Sequence, residues 1–457
     1  VNAPANPFLS KPIGRLYLQT GLPIVVVLLI NGLYNVINAW FLGNYVDKQA
    51  LAAVTLVFPL QLALFAMATL VASGMASVLA RRFGARDIAG ASQAFTSALV
   101  LVLIIMALVN LGFALGGDAL IARICGDLPH VNALATSYIS LLVYCAPILG
   151  LLVVNTDALR SEGKIQFMSS CMLASALLNV LLDYVLIVRL HQGVAAAALA
   201  TVLSQSASLS AIVLFRLRGK SSLRLHFGGL TVLKRHAAEM LPLGVPMSLS
   251  HVGVAIQVGM VNYALKNWAW VDYPTLVGAY GIVTRLMTLA IMPLIGLNVA
   301  FQTILGNNFG AGIKARVDAT VSVGLKIAVA YCATVTLLFV LAAAALGAGF
   351  VDDAAMAAQV ARLTRIVVAG FVLFGAAMII GSYFQAIGKP KYAILLSTAK
   401  NYLIIVPLLL LMPAAIGEPG IWYAFPLSDI LTALLALAVL NRNASRSGAR
   451  LGLYSNV

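Results

Sequence analysis

Within the apolar stretch Leu177-Leu178-Asn179-Val180-Leu181-Leu182-Asp183-Tyr184, an amide and a carboxylate stand four residues apart. That spacing puts both side chains on one face of a helix. An ionised carboxylate in hydrocarbon costs at least about 2.5 kcal/mol on insertion scales, so it faces a cavity or a partner. Neighbouring apolar runs carry further oxygens: Asn155 and Asp157 in the preceding one, Thr201, Ser204 and Gln205 in the next. The first run holds Asn31, Tyr34, Asn35 and Asn38 at helical spacing. Carboxylate, amide and hydroxyl oxygens suit a hard cation such as Na⁺. A lone carboxylate in a dry cavity also suits a proton. The plainer alternative is that Asp183 pairs locally or reaches the outer interface, and an intramembrane Asn is often only an interhelical hydrogen bond.

The second half of the chain carries a different set. Leu408 stands where a counterpart of Asp183 would be, and the polar residues are Arg285, Gln302, Lys400 and Asp429. Two cations and one carboxylate suggest a charge network in which Lys400 pairs with Asp429. The pair would either fix helix packing or meet substrate. Pro23 lies near the start of the first run and Pro246 in the same place in the seventh. Each either bends its helix or starts it. The five histidines are scattered, and Cys125, Cys145, Cys171 and Cys332 form no CxxC pair. Neither set has a metal-like or nucleophile–base spacing, so an enzyme and a resident cofactor are not expected.

The elements that position these residues follow from composition. The chain has 457 residues of which 9% are charged, and its mean hydropathy is +1.00. Soluble domains carry roughly 25% charged residues, so most of this surface must face lipid. Continuous apolar runs exclude a transmembrane β-barrel. We read twelve spans: 14–41, 51–80, 94–117, 132–158, 165–188 and 192–215, then 237–266, 275–306, 317–347, 359–386, 391–413 and 419–441. The stretch 1–11 is polar and Pro-rich and does not read as a cleavable leader.

The two sets of six repeat. Phe83-Gly84-Ala85 returns as Phe309-Gly310-Ala311, Gly21-Leu22-Pro23 as Gly244-Val245-Pro246, Gly163-Lys164 as Gly388-Lys389, and Gly193 as Gly420. Like halves of apolar helices are a common way to make a cavity that opens alternately to either side. The expected fold is an all-α polytopic membrane protein. Its two six-helix lobes, 1–225 and 226–457, would be related by a pseudo-two-fold axis along the membrane normal. The basic stretch 216–235 is read as a solvated linker touching headgroups.

The net charge of +15 does not indicate nucleic acid, because the cations sit in short loops. About twenty Lys and Arg fall on the side of both termini against roughly six on the other, so both termini are expected to be cytoplasmic. Asp47, Asp118, Asp127, Asp352, Asp353 and Glu418 fall mostly in the opposite loops.

At these residues the chain resembles the multidrug and toxic compound extrusion family, in particular its bacterial MepA-like branch. The resemblance rests on Pro23, Asn31 and Leu33-Tyr34-Asn35 followed by Phe41-Leu42-Gly43, and on Leu51-Ala52-Ala53-Val54-Thr55 with Phe58-Pro59. It rests also on Gln302-Thr303-Ile304-Leu305-Gly306-Asn307-Asn308-Phe309-Gly310-Ala311 and Pro426-Leu427-Ser428-Asp429. It implies export of small organic, often cationic, compounds driven by inward H⁺ or Na⁺; we expect a bacterial cytoplasmic membrane, lipid neighbours, no cofactor, and a monomer, since one chain supplies both lobes. The family's cation site matches Asn179, Asp183 and Thr201, with Asn155 nearby. Where the family commonly has an acidic residue in the first span, this chain has Asn38, which leaves Asp183 to carry most of the coupling, with Asp429 as a further route. The acidic residue that another branch carries in span seven is also missing; His251 is the ionisable group there. Pro23, Asn31, Tyr34, Asn35, Arg285, Gln302, Lys400 and Asp429 are candidates for the substrate cavity or its gating. The rival class is a lipid or lipid-linked oligosaccharide flippase, whose cavity would be basic along its length.

Overall fold

A computed structural model describes residues 6–46, 48–126, 129–226, 228–268, 273–351 and 353–447, together with 451 and 453. These residues are almost entirely helical, and no strand occurs among them. In hydrocarbon every backbone polar group must be satisfied within its own segment, which long helices achieve. After a short α1 (Pro7–Ser10) come α2 (Ile13–Tyr45), α3 (Lys48–Gly84), α4 (Ile88–Cys125), α5 (Pro129–Tyr144), α6 (Ala146–Ser161), α7 (Ile165–Asp183) and α8 (Val194–Leu217). The second series is α9 (Gly229–Trp268), α10 (Tyr273–Gly310), α11 (Lys314–Phe350), α12 (Ala354–Val368), α13 (Phe371–Ala386), α14 (Pro390–Thr398), α15 (Ile405–Ile416) and α16 (Pro419–Ser447).

Among the described residues, ten segments are long and apolar enough to cross a membrane, and up to twelve if two bent pairs each count as one span. The bent pairs are α5–α6, at 49°, and α12–α13, at 43°. They correspond to the fourth and tenth spans, so the breaks at Cys145 and at Ala369–Gly370 recur at the repeat distance. A second irregularity also recurs. α7 runs into a π-helical segment, Tyr184–Arg189, and α14 into another, Ala399–Ile404. Such widened turns interrupt the regular hydrogen-bond ladder and are frequent at functional sites.

The loops repeat as well. Gly163 and Gly388 both have φ of +78°, the left-handed region that favours glycine. Gly193 (φ +71°) finds its conformational partner in Gly417 (φ +72°), not in Gly420 as the sequence spacing suggests. Gly420 instead sits tight against the backbone of Met412.

Contacts divide the chain into two compact units, 1–9 with 26–251, and 10–25 with 252–457. The division does not fall at 225/226. It passes through α2 and α9, a few residues beyond Pro23 and Pro246 respectively. Both prolines lie well inside their helices, so they do not start them; each removes a backbone hydrogen bond where its helix passes from one unit to the other.

In the first unit, α4 shows how the layers form. Ala91, Ala94, Phe95, Ala98, Val102 and Met106 are buried along one face, whereas Leu103, Ile104, Leu108, Leu111 and Leu115 are exposed, as lipid-facing residues are. Small residues let helices approach closely. Gly74 of α3 lies against the carbonyl of Met240, and Gly244 of α9 against that of Leu70. The second unit repeats the device, with Gly296 of α10 against Val25 and Gly21 of α2 against Leu297.

The stretch after α8 is not a freely solvated loop. Leu223 is buried, and the backbone N–H groups of Arg224 and His226 donate to Ser92 Oγ (3.2 Å) and Thr96 Oγ1 (2.9 Å). Those hydroxyls were available because α4 begins with small polar residues on its buried face, which hydropathy averaging hides.

Candidate functional site

Asp183 ends α7 and is completely buried, at 0% exposure. Its surroundings are satisfied when the Asn179 amide nitrogen faces it. The nitrogen then donates to Asp183 Oδ2 (3.0 Å), and the Asn179 oxygen accepts from the Thr201 backbone N–H (3.0 Å). The Thr201 hydroxyl donates to the Ala197 carbonyl (3.0 Å) and lies 3.4 Å from the Tyr34 hydroxyl. Tyr34 also bonds Asn38, one turn further along α2. α2, α7 and α8 therefore contribute one hydrogen-bonded chain: Asn38, Tyr34, Thr201, Asn179, Asp183. The small residues of α8, among them Ala196, Ala197 and Ala200, are buried and let its neighbours approach closely.

Two oxygens of this chain are left over. Asp183 Oδ1 and Asn38 Oδ1 are buried and accept no hydrogen bond. Asp183 also forms no ion pair among the described residues, unlike the other buried carboxylates described below. A buried carboxylate with neither counter-charge nor full hydrogen bonding is costly. A proton on Oδ1 would neutralise it, and a small hard cation would use the same oxygens. Tyr138 of α5, hydrogen-bonded to Gln61, stands within electrostatic reach of both Asp183 and Tyr34. Neither residue had a signal in the sequence: a tyrosine and a glutamine in apolar runs look like any others.

Asn155 belongs elsewhere. Its amide donates to the Leu151 carbonyl (2.9 Å), and its oxygen accepts from Arg216 Nε (2.9 Å). Arg216 also bonds Glu162 (2.7 Å), whose side chain is wholly buried and holds Ser221 (2.7 Å) and the Ser222 N–H (2.9 Å). This cluster fastens the stretch after α8 to the end of α6. The proximity of Asn155 to Asp183 in sequence order did not translate into a shared site, because α6 presents Asn155 to α8 near its last turn. Asn31 is half-buried and partnered. The side chain of Asn35 lies outside the described residues, as do Asp47, Asp127 and Asp352.

The second unit gathers its polar residues in two places. Gln302 donates to Ser382 Oγ (3.1 Å) and Gln385 Oε1 (3.0 Å). Lys400 Nζ lies 2.5 Å from Asp429 Oδ1 and 3.7 Å from the centre of the Phe374 ring. Arg285 is exposed and joins no ion pair among the described residues, so the three-member charge network reduces to one pair. No group of three or more His, Cys, Asp or Glu that could hold a metal occurs among the described residues.

A polytopic helical fold with repeated broken spans and a buried, uncompensated carboxylate defines a membrane transporter, and comparison with known proteins agrees. Residues 23–185 and 273–411 match the family profile described as MatE. The chain belongs to this family, the multidrug and toxic compound extrusion transporters, and is of MepA-like type; it is a transporter and not an enzyme. It is 24% identical over 442 residues to the multidrug export protein MepA of Staphylococcus aureus (strain NCTC 8325 / PS 47), covering 95% of this chain and 94% of the relative. MepA of Staphylococcus haemolyticus (strain JCSC1435) is 24% identical over 438 residues, with the same coverage. Among solved structures, an outward-facing multidrug resistance MATE transporter of the MOP superfamily superposes with a TM-score of 0.88 at 22% identity, covering 98% of this chain and 99% of that one. A MOP superfamily transporter from Pyrococcus furiosus, described as having a binding pocket of reversed polarity, gives 0.89 at 22% identity, covering 98% and 100%.

Proposed function

We propose that this chain exports small organic, often cationic, compounds across a bacterial cytoplasmic membrane by exchange for H⁺ or Na⁺, with Asp183 as the exchange point. The observation that carries this reading is the unpartnered Asp183 Oδ1, buried in a chain of oxygens that ends at the equally unpartnered Asn38 Oδ1. Both termini lie on the cytoplasmic side in this reading, and two lobes of six spans work as one monomer. A cation arriving at Asp183 cancels its charge and reorders Asn179, Thr201 and Tyr34. Tyr34 sits on α2, whose proline permits a bend, so the change at Asp183 reaches a helix able to move.

The test is efflux of a fluorescent organic cation from proteoliposomes, with a pH gradient and a Na⁺ gradient imposed separately. Acceleration by one of them identifies the coupling ion. Acceleration by neither, with the dye shown to bind, contradicts exchange.

Asn38 allows a second test. Asn38→Asp adds a carboxylate to the same hydrogen-bonded chain, so Na⁺ should bind about tenfold or more tightly, as expected for a second charge near a partly buried ion. Na⁺-dependent thermal stabilisation reads this directly. Equal stabilisation of variant and wild type would place Asn38 outside the cation's coordination.

A further inference from the structure

Every buried or half-buried acid with a resolved ion pair is neutralised within its own unit. Asp157 faces Arg160 (3.1 Å), Glu162 faces Arg216 (2.7 Å), and Glu239 faces Arg81 and Arg82 (3.2 and 3.5 Å). Glu418 faces Arg362 (2.8 Å), and Asp429 faces Lys400 (2.5 Å). Asp318, at the start of α11, has its own polar interactions. Asp183 stands apart from them.

Asp429 would otherwise be a second exchange point. It is buried deep in α16, with only 7% of its side chain exposed. Gly370, at the break between α12 and α13, has no side chain to keep it away: a Cβ there would fall 2.5 Å from Asp429 Oδ2. The groups facing it are Lys400 from the π-helical segment and Cys332 from α11. Lys400 is in turn held over the ring of Phe374 from α13. An ammonium fixed between a carboxylate and an aromatic face has its charge met on both sides. It occupies the place a free cation would take.

Building on the exchange reading above, we infer that Lys400 is a tethered counter-cation that keeps Asp429 out of ion exchange, so that one cation enters through Asp183 for each molecule exported. The second unit thus contributes no coupling ion. Exchange against a monovalent organic cation is then electrically neutral.

Stoichiometry tests this in proteoliposomes of the full chain, with ethidium as the monovalent probe and protein-free vesicles as the blank. Under a tenfold gradient of the driving ion, with the membrane potential clamped at zero, one-for-one exchange sets a steady ethidium ratio of about tenfold, and two-for-one of about a hundredfold. The wild type should give about tenfold, unchanged by an imposed potassium diffusion potential. Lys400→Met should raise the ratio towards a hundredfold and make it potential-dependent, because Asp429 becomes free to take a cation. A folded Lys400→Met that stays at about tenfold overturns the inference, with Lys400→Gln making the same test if the methionine variant does not fold. The double variant Lys400→Met with Asp429→Leu should return to about tenfold, which assigns the gain to Asp429. A hundredfold ratio in the wild type overturns the inference, as does a folded double variant that no longer follows the ion gradient. If the wild type moves no ethidium with either gradient, it is the exchange reading that fails, and this inference falls with it.

Discussion

Asp183→Asn should export at the rate of protein-free leak under an imposed ion gradient, about a hundredfold below wild type, while remaining folded and still binding dye. The size follows from what is removed. Coupling between two ligands rests on a free energy of about 1–3 kcal/mol, equivalent to roughly 5- to 150-fold in affinity. In the exchange reading that energy resides in one charge. The substitution is nearly isosteric, and the oxygen of the new amide can still accept the hydrogen bond from Asn179 that Oδ2 accepts now. Packing is therefore kept while the exchangeable site is lost, and the variant relieves a buried uncompensated charge, so its melting temperature should not fall. The measurement is dye efflux with and without the gradient, alongside dye binding and thermal unfolding of the same preparation. Gradient-driven export at the wild-type rate would show that Asp183 is only a buried structural acid. Loss of both export and folding would show that the carboxyl group itself holds this site together, beyond the Asn179 bond that the amide keeps.

Much of this architecture was legible in the sequence, and the limits have physical causes. Length and hydropathy located the spans, since hydrocarbon leaves little choice of structure. The repeat was visible in glycine-containing turns because a left-handed backbone, as at Gly163 and Gly388, restricts the residue type. The Asn179–Asp183 pairing could be read because four-residue spacing on a helix is a local property. Lys400–Asp429 could be guessed because few charges lie within the spans, so possible partners are few.

What was hidden depends on which helix faces meet. Tyr138 and Gln61 approach Asp183 only after α3 and α5 are packed. Asn155 turned to Arg216 because the orientation of α6 about its axis is not written in a run that is apolar on every side. Pro147 stands just past the break at Cys145, where the two helices it separates read as one apolar run, and the break at Ala369–Gly370 has no proline at all. The 216–235 stretch read as solvated because its charges dominate the average, while its anchors are single hydroxyls on α4 and one buried carboxylate, Glu162.

Gly244→Ala should be the most damaging small substitution in the chain. The Cβ it adds would lie 1.6 Å from the Leu70 carbonyl oxygen and 2.6 Å from its carbon, both backbone atoms that cannot rotate away. α3 and α9 must then separate. Their second contact, Gly74 against the Met240 carbonyl at 2.1 Å from an ideal Cβ, would be lost with the first, since the two lie on the same pair of helices. Overpacking of this kind typically costs about 1–3 kcal/mol, and the absence of a rotatable neighbour places this site at about 3 kcal/mol. Gly112→Ala provides the comparison: it also lies in an apolar span, but nothing stands within 4 Å of its added Cβ. It should melt at or slightly above the wild-type temperature, because alanine favours helix more than glycine does. Thermal unfolding in detergent separates the two. A Gly244→Ala protein as stable as Gly112→Ala would mean that the first half of α9 does not rest on α3 in the membrane.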